Sequence, residues 1–354
     1  MSRFFAERYQ QMDAYVPGEQ PKDMEYIKLN TNESPYPPAP SVVGAVTAER
    51  IELLRLYPDP TCGVLRAKLA GLCGYDAENI FVTNGSDDAL NFIFMAYGSK
   101  GAIFPDITYG FYKVFAQLNG VFYREIPLRE DFTIDPDEYM EQNRLILIAN
   151  PNAPTGMSMD MGAIEDIIRS NPNSIVAIDE AYVDFGGQSC APLVAKYDNL
   201  LVVRTYSKSR NMAGGRLGYA IGNVKLIQDL EKLKYSTNPY CINRLTMLLA
   251  EATVDADQYY LDCCKEVART RVWTAQALTE LGFKVLPSDA NFLFAKAAKI
   301  GGKELYMALK VRGVLVRHFG NPRIADYVRI TVGTAQQMER FIEIVKEIVG
   351  GGSL

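Results

Sequence analysis

Residues 145–182, LILIANPNAPTGMSMDMGAIEDIIRSNPNSIVAIDEAY, carry two apolar runs separated by an amphipathic one. Leu145–Ala149 and Ile175–Ile178 are short, continuous and rich in β-branched residues, as expected of strands buried on both faces. Met161–Arg169 between them places its isoleucines at helical spacing. A strand, a helix and a second strand over this length predict a parallel crossover unit.

The same alternation extends in both directions. Ile80–Thr83, Ala102–Phe104 and Leu201–Arg204 are further buried-strand candidates, and Asp87–Tyr97 and Tyr109–Leu118 are amphipathic. The pattern predicts an α/β fold with a mostly parallel central sheet flanked by helices. After Tyr240 the texture changes. A helical stretch from Ile242 to Leu281 breaks near Asp255, short strands follow around Phe283, Phe292, Val314 and Tyr327–Val332, and a last helix spans Ala335–Val349. We therefore expect an N-terminal arm (1–30), a large domain (31–240) and a smaller C-terminal α/β domain (241–354); 354 residues suffice for two domains at ~150 residues each.

With 37 basic against 42 acidic residues, the net charge of −5 gives no footprint for nucleic acid or an anionic membrane. No run reaches ~18 apolar residues and the N-terminus has no apolar signal segment, so neither a membrane span nor secretion is expected. The six cysteines are scattered without C-x-x-C spacing, which suits reduced thiols in the cytoplasm; no metal-ligand pattern is present.

Five segments carry candidate chemistry. In TYSKSRNMAGGRLG, Lys208 follows the strand run LLVVRT; lysine in a turn is ordinarily a solvated charge, but one partly desolvated has a lowered pKa and can form a Schiff base with an aldehyde. Arg216, past Gly214 and Gly215, can close on an anion near that lysine. In AIDEAYVDF, Asp179 ends a strand. It reads alone as a cap, or with Tyr182 as a partner for a protonated pyridine nitrogen. In TNGSDDAL a turn opens a helix, a routine N-cap that also makes a phosphate seat. NPNAPTG fixes a tight loop that offers the Asn152 amide, and in YVRITVGT the charge of Arg329 inside an apolar strand demands a partner such as a carboxylate.

In this order, with LNTNESPYPP (29–38), YPDP (57–60) and DITYG (106–110), the segments resemble fold type I pyridoxal-phosphate enzymes, specifically the class I/II aminotransferases, over nearly the whole chain. Within that family the likeness is greatest to the histidinol-phosphate aminotransferases, through AYVPG (14–18), YPDP and VRITVGT. The resemblance implies that pyridoxal phosphate is bound as a Schiff base to Lys208, with Asp179 on the ring nitrogen, Tyr182 on the phenolic oxygen and Tyr109 stacked on the ring. It implies that Ser86, Asp87, Ser207 and Arg216 hold the cofactor phosphate. Arg329 with Arg317, and with Tyr15 and Asn291, would bind the substrate's anionic end. It further implies a homodimer with shared active sites, Tyr57 reaching the neighbouring subunit's cofactor phosphate.

The expected reaction is amino transfer from a donor to a 2-oxo acid, histidinol phosphate to 2-oxoglutarate in histidine biosynthesis. The alternatives are an aromatic-amino-acid aminotransferase, a threonine-phosphate decarboxylase or a cofactor-binding regulator. One departure stands out. The family usually reads N-N-P-T-G, and here the second Asn is Ala153, so either Asn152 reaches the phenolic oxygen or Tyr182 acts without it. His318, the single histidine, is expected at the surface or the substrate rim.

Overall fold

The structure, a computed structural model, describes residues 2–10, 12 and 15–351; Ala14 of the AYVPG segment lies outside them. Among the described residues, seven strands form one sheet in the order Ile80–Thr83, Gly218–Gly222, Leu200–Thr205, Val176–Asp179, Leu145–Ala149, Ala102–Pro105, Tyr123–Ile126. The five from Leu200–Thr205 to Tyr123–Ile126 pair in parallel, and Gly218–Gly222 pairs antiparallel with both its neighbours.

Side-chain alternation along these strands divides the core in two. Ile146, Ile148, Val176, Ile178, Leu200 and Val202 pack under the helices Gly63–Cys73 and Met161–Ser170. Leu145, Leu147, Ala177, Leu201 and Val203 pack on the opposite face under Ser86–Tyr97, Phe111–Leu118 and Val224–Thr237. Because both faces are covered, these strands read as continuous apolar runs, which made them visible in the sequence.

The outcome differs from the reading in places. Tyr123–Ile126 was not expected: its Arg124 and Glu125 point to solvent from an edge strand. Gly218–Gly222 was hidden by its two glycines. The helices Val224–Thr237 and Gly302–Val311 were also unread. Two short helices, Pro40–Gly44 and Ala48–Glu52, precede the Tyr57 segment. The break near Asp255 is present, between Arg244–Asp255 and Asp257–Glu280.

The C-terminal part holds an antiparallel sheet ordered Arg317–His318, Val328–Thr331, Phe292–Ala297, Phe283–Val285. Residues 27–32, which lie at the expected junction of arm and large domain, are hydrogen-bonded to this part of the molecule. Ile27–Lys28 pairs in parallel with Val314–Leu315, the Leu29 N–H donates to the Leu315 carbonyl, and the Thr331 N–H donates to the Leu29 carbonyl. Among the described residues no helix is long and apolar enough to cross a membrane.

Candidate active site

Ile80–Thr83, Leu145–Ala149, Val176–Asp179 and Leu200–Thr205 all run one way, so the residues at their carboxyl ends meet in one crevice. A cavity of about 360 Å³ opens there, within the ~300–1,000 Å³ of small-molecule sites. Its wall includes Ser86, Asp87, Tyr109, Asp179, Tyr182, Ser207, Lys208 and Arg216, eight residues singled out from the sequence. A second cavity, about 460 Å³, shares Thr31, Tyr109, Ala153, Tyr182 and Lys208 with the first and extends to Tyr15, Arg317 and Arg329.

Lys208 sits in the turn after Leu200–Thr205, its Nζ 3.3 Å from the Thr31 carbonyl and 5.8 Å from the centre of the Tyr182 ring. Burial, reinforced by the nearby positive charge of Arg329, pulls its pKa down from 10.5 to about 8. The amine is therefore neutral far more often near neutral pH than that of an exposed lysine.

Asp179 shows the opposite displacement. Its Oδ2 accepts from the Tyr112 hydroxyl at 2.9 Å and its Oδ1 from the Ala181 N–H at 3.2 Å, yet no cation among the described residues pairs with it. Burial raises its pKa from 3.8 to about 6, the Tyr112 and Ala181 bonds opposing the rise. A buried carboxylate left without a cation is set up to receive one.

Opposite lies an anion seat. Gly85 precedes the helix Ser86–Tyr97 with φ 84°, a conformation costly for other residues, and a Cβ there would lie 2.6 Å from Arg216 Nη2. Gly218 allows a still closer approach, since a Cβ on it would lie 2.2 Å from the Ser86 backbone N. These two glycines bring the Arg216 guanidinium onto the helix N-terminus, where free N–H groups and the dipole already favour an anion. Asp87 Oδ2 is 3.4 Å from Arg216 and its Oδ1 accepts from Tyr109 at 2.7 Å, which fixes the Tyr109 ring at the cavity wall.

In the second cavity, Arg317 and Arg329 are cross-strand partners in register. Like charges directly opposite are unfavourable unless an anion sits between them. Arg329 donates to the Asn30 carbonyl at 2.9 Å while its Nε is buried without a partner among the described residues. Arg317 donates to the carbonyls of Val16 and Pro17, tying the arm across the opening, and Tyr15 stacks on Phe111 at 4.1 Å between ring centres.

Three expected residues lie elsewhere. Asn152 lines neither cavity: its amide is engaged within its own region, accepting from Thr108 and donating to Ile107 and Thr155. Asn291 also stands behind the wall, donating to the Asn32 carbonyl at 3.0 Å. Tyr57 is 77% exposed, stacked on Tyr240, and lines neither cavity. His318 lines neither cavity; its Nε2 meets the Ala325 carbonyl at 2.9 Å. Conversely Tyr112, Asn32, Thr31 and Glu33 were not singled out. Tyr112 had one legible signal, its place within the amphipathic stretch that begins at Tyr109.

A basic lysine, a cation-seeking carboxylate, an aromatic wall and an anion seat together fit a flat ring bearing a basic nitrogen, a carbonyl and an anionic arm. The family profile "Aminotransferase class I and II" matches residues 24–345. The chain belongs to this family. The histidinol-phosphate aminotransferase of Brachyspira hyodysenteriae is 47% identical over 352 residues, 99% of each chain. Histidinol-phosphate aminotransferase 2 of Dechloromonas aromatica is 47% identical over 356 residues, covering 99% of this chain and all of the relative. Among solved structures, the Sinorhizobium meliloti histidinol-phosphate aminotransferase in complex with pyridoxal-5'-phosphate superposes with a TM-score of 0.83 at 22% identity, covering 93% of this aminotransferase and 92% of that chain.

Proposed function

We propose that this aminotransferase uses pyridoxal phosphate to move the amino group of histidinol phosphate to 2-oxoglutarate, in histidine biosynthesis. The observation that carries the substrate is the in-register pair Arg317 and Arg329 facing a cavity that shares Lys208 with the first, with a buried donor of Arg329 unpartnered among the described residues. Near-full-length identity to two enzymes of that name supports the same choice.

The residues present fit the cofactor. The Arg216-capped helix start would hold its phosphate, together with Ser207 and the Ser86–Asp87 backbone; Asp179 would face its ring nitrogen, and Tyr109 and Tyr182 the ring face and phenolic oxygen, all of them residues of the cavity wall. Bound there, pyridoxal phosphate supplies an electron sink for the pair released when the substrate Cα–H bond breaks. Lys208 Nζ, its pKa lowered to about 8 and so close to the value an acid–base group needs at working pH, would take the proton from the substrate Cα and deliver it to the cofactor's C4′. Asp179, once a cation faces it, is stabilised in its ionised form and keeps the ring nitrogen protonated. Arg329 and Arg317 fix the substrate's phosphate, or the carboxylate of the 2-oxo acid, and so set the Cα–H bond against Lys208.

We further propose that the chain forms two units, 31–240 and 241–354, and that two copies pair in the cytoplasm. Leu53, Leu54, Leu56, Tyr57 and Val64 are exposed apolar side chains close together in sequence, which supports cover by a second copy. The test mixes cofactor-loaded protein with single amino donors and follows the visible band. Histidinol phosphate converting it far faster than phenylalanine or tyrosine supports the assignment, and CO2 release from threonine phosphate would overturn it.

A further inference from the structure

Ala153 leaves the shared wall of the two cavities with a methyl group, and the amide of Asn152 is committed to its own loop. Another amide reaches the same wall from the N-terminal segment. Asn32 Nδ2 donates to the Tyr182 hydroxyl at 3.0 Å, across 150 residues of sequence.

The orientation of that amide follows from its neighbours. The Asn32 backbone N–H donates to Thr331 Oγ1 at 2.9 Å, and Thr331 Oγ1 donates in turn to Asn32 Oδ1 at 3.0 Å. Turning the amide over would leave the proton of Thr331, a residue 2% exposed, with no acceptor among the described residues, a costly loss at a buried site. Asn32 is at φ 55°, a left-handed conformation that Asn tolerates, and its carbonyl is held by Asn291.

A side-chain NH2 can only donate, so the Tyr182 oxygen accepts, and its own proton must point elsewhere. Tyr182 is buried, donates to no other group among the described residues, and borders both cavities. We propose that Asn32 is a positioning residue that turns the Tyr182 proton into the cavity, onto an anionic oxygen of the ring-bearing ligand, in place of a direct amide contact from position 153. Asn291 and Thr331 acquire roles through it, as the groups that hold Asn32.

This rests on the cofactor reading above. The experiment follows the pH midpoint of the bound cofactor's visible band in wild type, Asn32→Asp, Tyr182→Phe and the double variant, alongside cofactor affinity. Asp keeps the size of Asn and its bond to Thr331 but cannot donate. A donor aimed at the cofactor oxygen disperses its negative charge and weakens its hold on a nearby proton, so losing that donor moves the midpoint up, by roughly 0.5–1 pH unit. If Asn32 acts through Tyr182, the double variant shifts beyond Tyr182→Phe by clearly less than Asn32→Asp shifts from wild type, because only the new charge is left to act. An unmoved midpoint in Asn32→Asp, or a shift that adds in full to that of Tyr182→Phe, as the new charge alone would give, overturns the assignment. Should Asn32→Asp fail to fold, Thr331→Val, which frees the amide to turn, is expected to shift the midpoint the same way; no shift overturns it. A wild-type protein with no cofactor band overturns the functional reading and this inference together.

Discussion

Lys208 and Asp179 are displaced in opposite directions by one cause, burial that disfavours whichever form is charged. For Lys208 the neutral amine is the nucleophile, so capture of pyridoxal phosphate by the cofactor-free protein should accelerate with pH and level off above about 8, not near 10.5. Stopped-flow mixing at a series of pH values checks this; a rate still climbing steeply at pH 10 contradicts the lowered value. Lys208→Ala should lose the borohydride-reducible link and multiple turnover. For Asp179, exchange to Asn removes the charge but keeps the shape, and kcat should fall by roughly 10³-fold while cofactor still binds. Tyr112→Phe removes one hydrogen bond to that carboxylate and should cost roughly tenfold in kcat with KM little changed. A tenfold rise in KM at constant kcat would detach Tyr112 from Asp179's role.

At the scale of elements, the anion seat depends on how closely the turn before Ser86–Tyr97 approaches the start of Gly218–Gly222. Gly85→Ala forces a side chain into a backbone region nearly reserved for glycine and against Arg216, and should destabilise the protein by ~1–3 kcal/mol. It should also weaken cofactor binding at least tenfold in a fluorescence titration. An unchanged Kd alongside a lowered melting temperature would separate Arg216 from the phosphate. Gly218, which lets this approach happen, is also one of the two glycines that hide Gly218–Gly222 as a strand. Strands and helices were legible where burial demanded long apolar runs or clear periodicity, as in Leu145–Ala149 and Met161–Ser170. They were lost where close packing or an edge position replaced that signal.

Across the whole molecule, two sheets far apart in sequence meet at one crevice: the seven-stranded sheet supplies Lys208 and Asp179, the C-terminal sheet Arg317 and Arg329. Tyr57 lies outside its own chain's cavities and is largely exposed, which fits a role in a partner's site. Mixing the inactive variants Tyr57→Ala and Lys208→Ala after reversible dissociation should then restore activity, because one site in each hybrid carries neither lesion. A mixture that stays inactive, given a severely impaired Tyr57→Ala parent, places Tyr57 in its own subunit or in no site.

By itself the sequence determined the parallel α/β core, the strand-end positions of Asp179 and Lys208, and the family, because these depend on local patterns: apolar runs, turn residues and short motifs in order. Only the tertiary structure decided which side chains face the cavity. Asn152 and Asn291 turned out to be engaged behind the wall, while Asn32 and Tyr112, inconspicuous in the chain, contact the groups at its centre. The reason is physical. Hydrogen-bond partners of a buried amide or carboxylate are chosen by proximity after folding, and the contacts that matter here join residues 67 and 150 positions apart.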